Sequence, residues 1–133
     1  MSVPYPGPGL AEAHAQLHPP MRDGMSTDAV DRIIEGGQLS LAELDRLVLP
    51  RKTLAHRRIL GTLTMEQSDR VRRLLRMIEE AEYTFDDAAK AHAWLRRPNK
   101  LLGGDAPLDR LDTDLGTRQI ETLLGRIAQG IAA

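Results

Sequence analysis

The stretch TMEQSDRVRRLLRMIEEAEYTF, residues 64–85, contains the longest helical pattern in this chain of 133 residues. Thr64 and Gln67 have the spacing of a capping box, in which each side chain accepts a hydrogen bond from the backbone N–H of the other residue. Four aliphatic residues then recur with helical spacing: Val71, Leu74, Leu75 and Ile78. Residues at this spacing share one face of a helix, so the stretch predicts a long amphipathic helix that packs against a core.

Helix start signals continue on both sides of this stretch. Upstream, Ser26 or Thr27 can cap a first helix, and a second capping box, Ser40 with Glu43, opens another. Pro50 suits the first turn of a third helix because its φ is already helical. Downstream, further starts are expected at three places: Asp86, Pro107 and Thr113 or Asp114. No stretch alternates apolar and polar residues with β-branched enrichment, so we predict an all-α fold of about six or seven short helices.

Three segments are expected along the chain. Residues 1–24 contain five of the eight prolines and are predicted to be a disordered tail. Residues 25–76 are predicted to form a helix-turn-helix-like bundle, in which the second helix of the pair follows the connection Val48-Leu49-Pro50. Residues 77–133 are predicted to form a second, small helical domain. Many helix-turn-helix connections contain glycine, and this one departs from that pattern.

Composition excludes several classes of protein. The chain has no cysteine, which rules out a disulfide framework, a cysteine-ligated zinc site and a thiol nucleophile. No basic segment precedes an apolar run at the N-terminus, and no run approaches the roughly 18 apolar residues that cross a bilayer. We therefore expect a cytoplasmic protein with no membrane association.

The charge is concentrated in the middle of the chain, although the net charge is only −1. Residues 50–76 contain eight basic and two acidic residues, whereas both flanks are acidic. Such a block indicates a local surface for anions. Its second part contains four arginines that we expect to contact phosphates or nothing: Arg70, Arg72, Arg73 and Arg76.

The first part of the block lies at the start of the predicted recognition helix, whose N-terminal residues face base edges in the major groove. Six residues are candidates for DNA contact: Arg51, Lys52, Thr53, His56, Arg57 and Arg58. Leu54 and Ile59 are expected to face inward. A solvated basic helix face that binds nothing is the alternative interpretation.

The segment AWLRRPNKLLGG, residues 93–104, carries the only tryptophan, Trp94, immediately before a helix-ending proline. Two interpretations are open: Trp94 and Leu102 fold this turn onto the core, or the turn presents a shaped surface to a partner. Elsewhere, His14 and His18 have metal-ligand spacing but lack a third ligand, so no metal site is predicted. No group of residues combines a nucleophile, a base and oxyanion donors, so we predict neither an enzyme nor a cofactor.

The region from Thr53 to Gly130 resembles the Xre-type antitoxins of RES–Xre toxin–antitoxin pairs, the family also called Xre/MbcA/ParS. The resemblance depends on ordered elements along this region: Thr53-Leu54 with Arg57-Arg58, Leu63 to Ser68, Trp94-Leu95, Pro98-Asn99, Leu102 to Gly104, Pro107-Leu108, Thr113, Gly116, and Leu123-Leu124 to Gly130. It implies a homodimer that binds operator DNA through its helix-turn-helix and regulates its own operon. It also implies that the second half is a toxin-binding domain that blocks a RES-domain, NAD-consuming toxin.

Within that half, nine residues are predicted to contact the toxin: Trp94, Arg97, Asn99, Leu102, Gly103, Gly104, Ile131, Ala132 and Ala133. The last three are small and apolar, and we expect them to plug or cover the toxin's entrance; a frayed terminus is the alternative. A different overall function remains open at this point, a stand-alone transcription regulator whose C-terminal half only dimerises.

Overall fold

The computed structural model describes residues 24–130, which form six α-helices and two 3-10 helices. In chain order the α-helices are α1 Thr27–Glu35, α2 Leu41–Leu47, α3 Arg51–Leu60, α4 Met65–Phe85, α5 Ala88–Arg96 and α6 Asp114–Ala128. The 3-10 helices, Lys100–Leu102 and Pro107–Asp112, lie between α5 and α6. Within residues 24–130 there is no strand, only an isolated bridge between Ser26 and Thr62, so the predicted all-α class is confirmed.

The helix boundaries follow the capping residues. Both predicted capping boxes form, because the side chains of Ser40 and Thr64 accept hydrogen bonds from the third residue of their helices and are bonded in return. The Ser26 side chain caps α1, and the Thr113 side chain caps α6 by accepting from the Gly116 N–H. These short-range hydrogen bonds explain why the starts of the helices were predictable.

Helix α4 lies at the centre of a single core that extends through both halves of the chain. Its 21 residues span about 30 Å. The apolar face includes Val71, Leu74, Met77, Ile78 and Ala81, all buried. This face packs against α5, α6 and the second 3-10 helix, and the same cluster of buried side chains reaches Val30 of α1 and Leu54 of α3. The two halves therefore share one core and one helix.

The connection between α2 and α3 is built without glycine. Val48 and Leu49 are buried, and Val48, the C-cap of α2, has φ −120° and ψ −62°. No residue from 48 to 50 has a positive φ. Glycine is therefore not required in this connection, and its aliphatic side chains fill the core.

One of the two residues expected to face inward from α3 does so. Leu54 is buried, as predicted, but the prediction for Ile59 is wrong, since its side chain is 83% exposed. Five residues separate the two, which places them about 140° apart around a helix. A helix that buries Leu54 must therefore turn Ile59 outward.

Two glycines of α6 provide a matched test of this packing. A Cβ added to Gly116 would lie 1.8 Å from the backbone oxygen of Arg110, whereas one added to Gly125 would meet no atom within 4 Å. We expect Gly116→Ala to lower the free energy of unfolding by about 1–3 kcal/mol through overpacking. Gly125→Ala should raise it by about 0.4–1 kcal/mol, because alanine restricts the unfolded chain. Urea denaturation of both variants measures the difference, and a Gly116→Ala protein as stable as the parent would contradict the packing described.

Candidate functional site

The N-terminal end of α3 is exposed and is positioned by α2. Pro50 precedes the helix and offers no side-chain cap, but the Asp45 carboxylate of α2 accepts a hydrogen bond from the Arg51 N–H at 2.7 Å. This bond satisfies one of the free N–H groups at the start of α3. Asp45 was not predicted from the sequence; its position six residues before Arg51 lies outside the usual capping patterns.

The six DNA-binding candidates fall into two groups. Arg51, Lys52 and His56 are exposed, and in the part of the chain that the structure describes their side chains take part in no ion pair. Thr53 is half-buried beside them. These four residues are placed together on the first turns of α3, where a partner can reach them.

The other two candidates hold the bundle together. The Arg57 Nε donates to the Thr62 backbone oxygen at 2.7 Å, across the turn that follows α3. The Arg58 Nη2 lies 2.8 Å from Asp31 Oδ1 of α1, in an exposed ion pair. Both arginines therefore have partners within the domain, and a substitution of either would change the domain as well as any ligand contact.

The second part of the basic block is paired with carboxylates. Each of its four arginines forms an ion pair: Arg70 with Glu66, Arg72 with Asp69, Arg73 with Asp114 and Arg76 with Glu121. The last two pairs join α4 to α6. Pairing lowers the positive potential that these arginines present to phosphates, so the candidate anion surface is concentrated on α3.

The turn after α5 is anchored to the core by two buried side chains. Trp94 and Leu102 are 6% and 5% exposed, and the Trp94 ring packs against Phe85 with centroids 5.6 Å apart. Their side chains lie in the core, which favours the first interpretation of this segment: they support the turn and do not form its surface. Arg97, Gly103 and Gly104 are exposed.

Asn99 organises this turn through its backbone and its side chain. Its side-chain oxygen accepts from the Leu101 N–H at 2.9 Å, and its backbone oxygen accepts from Leu102 and Gly104. Gly103 and Gly104 have φ values of 66° and 95°, which explains the glycine pair, since other residues rarely adopt such values. Leu101, which was not a candidate, is 58% exposed on this turn.

A network of side chains joins the two halves next to this turn. The Arg96 guanidinium of α5 meets the Glu43 carboxylate of α2 in a bidentate pair, at 2.7 and 3.1 Å, and also donates to the Gln38 backbone oxygen. On its own helix it donates to His92 Nδ1 at 2.9 Å. The His92 Nε2 therefore carries the proton that faces Glu82 Oε2 at 2.8 Å. His92 has a structural partner on each side.

Burial of the Glu43 carboxyl raises its pKa, but the hydrogen bonds from Arg96 and Ser40 and the charge of Arg96 outweigh burial, so its pKa lies below the ordinary value of 4.5. The ionised Glu43 carboxylate therefore stabilises the fold fully at pH values above the pKa of the unfolded residue. This contribution is lost as the pH falls through the lower pKa of the folded residue.

Two further expectations from the sequence concern metal binding and membrane association. Among residues 24–130, no three histidine or acidic side chains are grouped in a way that could hold a metal ion. His14 and His18 lie outside the described residues, as do Ile131, Ala132 and Ala133. Within the same range, every helix is too short or too polar to cross a bilayer.

Comparison with known proteins assigns both halves. Residues 16–76 match the Antitoxin Xre-like helix-turn-helix domain, and residues 80–130 match the Antitoxin Xre/MbcA/ParS C-terminal toxin-binding domain. The chain is also 34% identical to Antitoxin Xre of Pseudomonas putida over 116 residues, which is 86% of this chain and 72% of that relative. The chain belongs to the Xre antitoxin family.

Two other relatives of this Xre antitoxin carry the same name. Antitoxin Xre of Yersinia enterocolitica is 33% identical over 111 residues, 81% of this chain and 75% of the relative. Antitoxin Xre of Photorhabdus laumondii is 29% identical over 116 residues, 85% and 78% of the two chains. The match of the first half begins at residue 16, inside the segment predicted to be a tail.

These findings place a DNA-binding domain and a toxin-binding domain on one antitoxin. They favour an antitoxin over a regulator whose second half only dimerises, and they indicate a regulatory protein. The exposed end of α3 lies in the first matched region, and the turn from Arg97 to Gly104 lies in the second. The roles of the individual residues remain predictions.

The ion pair between the halves gives a pH-dependent prediction for this antitoxin. Glu43→Gln keeps an acceptor for the Ser40 N–H but removes the charge, so we expect a loss of about 1–3 kcal/mol in the free energy of unfolding at about pH 7. Because the pKa of Glu43 is lowered, the parent keeps this contribution at neutral pH and loses it on acidification, so the two proteins should converge as the pH falls through the lowered pKa of Glu43. Urea denaturation at several pH values measures this; a constant difference between parent and variant would show that the charge is not responsible.

Proposed function

We propose that this antitoxin neutralises a cognate RES-domain, NAD-consuming toxin by covering its active site, and that it represses its own operon as a homodimer bound to operator DNA. Both activities belong to the cytoplasm, where NAD and the operon are found. The observation that carries the proposal is the match of residues 80–130 to a toxin-binding domain, on the same core as a helix-turn-helix.

The second half has the properties of an inhibitor. Its turn is fixed by the hydrogen bonds of Asn99 and by the buried side chains of Trp94 and Leu102, so little conformational entropy is lost when a partner binds. A dinucleotide site is a concave cleft, and an inhibitor can exclude NAD by lying across its mouth. The RES identity of the toxin comes from the family resemblance.

The test of toxin neutralisation is co-expression. The protein encoded by the gene adjacent to this chain's gene, our candidate for the toxin, is expressed with and without the antitoxin, and growth and cellular NAD are measured. We expect NAD depletion and growth arrest with the toxin alone and recovery of both when the antitoxin is present. Unchanged NAD depletion in the presence of soluble antitoxin would overturn the proposed inhibition.

DNA binding is proposed for the exposed end of α3. Lys52→Glu should reduce binding to the DNA upstream of this gene by at least about tenfold, because a phosphate or base contact is replaced by repulsion, and the binding of the parent should weaken steeply with salt. Lys90→Glu, at an exposed position of α5, makes the same charge change and should bind DNA like the parent. Electrophoretic mobility shifts at several salt concentrations measure both variants.

Toxin neutralisation by Lys52→Glu should remain intact, since α3 lies outside the toxin-binding match. Loss of both activities would point to unfolding and contradict the assignment of α3. Arg57→Glu is a poorer test, because the Arg57 side chain also bonds to Thr62.

The C-terminus is proposed to enter or cover the toxin's active site. Deletion of residues 130–133 should leave the complex assembled but restore NAD consumption to it, because the helical surface supplies the affinity and the tail supplies the block. Toxin binding is measured by co-purification and NAD loss by absorbance. A truncated antitoxin that still inhibits fully would exclude a role for these four residues.

A further inference from the structure

The outward face of helix α6 is mostly polar but includes one exposed leucine. Its inward face buries Ile120, Leu123 and Leu124, whereas Leu115 on the opposite side is 69% exposed. Gln119 and Thr122 follow Leu115 at i+4 and i+7 and therefore lie on the same outward face. A leucine on this face contributes nothing to the core, so its apolar surface is available to a partner.

Leu101 extends this apolar surface beyond α6. A shallow depression of about 240 Å³ is lined by Leu101, Leu102, Gln119, Thr122 and Leu123. It brings the exposed Leu101 of the turn next to the Gln119 and Thr122 side of α6. The turn and α6 therefore form one continuous surface.

Arg110 fixes the two sides of the depression relative to each other. Its Nη1 donates to Gln119 Oε1 at 2.8 Å, its Nη2 donates to the Leu102 backbone oxygen at 2.8 Å, and its Nε donates to Asp105. Leu101 itself is positioned by the Asn99 side chain. The depression is thus pre-organised before any partner binds, which reduces the entropic cost of association.

The two acidic residues of α6 are paired, whereas its two arginines are not. Asp114 and Glu121 form ion pairs with arginines of α4. Arg118 and Arg126 are exposed, and neither forms an ion pair with any residue between 24 and 130. Arg126 lies four residues after Thr122, on the outward face itself, and Arg118 lies three residues after Leu115, at the edge of that face. Exposed leucines, polar side chains and two cations therefore share this surface.

We propose that this surface, the α6 face, is where the toxin docks. It consists of Leu101, Leu115, Arg118, Gln119, Thr122 and Arg126. The inference rests on the proposed function and extends it by naming the surface and the chemistry of its partner: an apolar patch on the toxin flanked by carboxylates.

A protein partner fits the α6 face better than DNA does. Exposed leucines beside arginines without a carboxylate partner are typical of a protein interface. Phosphates would satisfy the arginines but would leave both leucines without a contact. α6 is also the helix that precedes residues 130–133 in the sequence, the segment proposed to block the toxin.

The test measures, by calorimetry, binding of the full-length antitoxin to the candidate toxin, the protein encoded by the gene adjacent to its own. We expect Leu115→Asp and Leu101→Asp each to weaken binding at least about 30-fold, as for central interface residues. The double variant Arg118→Glu, Arg126→Glu should also weaken binding and should reduce its salt dependence, because the attraction to carboxylates is lost. Unfolding temperatures should stay at the parent value, since all four side chains are exposed.

A matched control is available on α4. Tyr83 is 88% exposed and lies outside the α6 face, so Tyr83→Asp should bind the toxin like the parent. Parent-like binding by the leucine variants, or equal losses in Tyr83→Asp, would overturn the inference while leaving the proposed function in place. Weakened binding to upstream DNA with unchanged toxin binding would identify the α6 face as a nucleic-acid surface and would also overturn it. A parent protein that does not bind the toxin would overturn the proposed function, and the inference with it.

Discussion

The Arg96 guanidinium makes the polar connection that links the two halves of the chain beyond their shared core and helix. It meets both oxygens of Glu43 and the backbone of Gln38 on one side, and the ring and backbone of His92 on the other. A bidentate pair between a planar cation and a largely buried carboxylate fixes orientation as well as distance. Because Glu43 also completes the cap of α2, the same carboxylate starts a helix and ties it to α5.

Through this pair, α2 connects α3 with the helices of the second half. Three of its polar residues make three separate connections: Glu43 to α5, Asp45 to the first N–H of α3, and Arg46 to Asp109 at 2.7 Å in the second 3-10 helix. The pair formed by Arg46 is exposed and contributes little alone. Together they hold a helix of only seven residues that could not be stable in isolation.

Most of the fold was predictable because its signals are local. The capping boxes and the stripe of Val71, Leu74 and Ile78 depend on residues within one or two turns, and the structure contains them where the sequence placed them. The Arg96 pair joins residues that are 53 positions apart, and the Asp45 cap has a spacing outside the usual capping patterns, so no spacing rule identifies either of them. The error at Ile59 was avoidable, since the helical period alone places it away from Leu54. The basic block was correctly seen as a charge pattern, but four of its seven arginines form ion pairs within α4 or between α4 and α6.

Helix α4 passes without interruption through the boundary between the two matched domains, which falls between residues 76 and 80. The antitoxin therefore has a continuous helix at that boundary. Residues on either side of it belong to the same helix, so the rotation of this helix sets the orientation of both modules. A single inserted residue there would rotate one module against the other by about 100° and shift it by about 1.5 Å. Recombination that joins the first module of one relative to the second module of another must therefore conserve the length of this helix. Which modules can be combined is then limited by helix geometry as well as by the chemistry of the toxin interface.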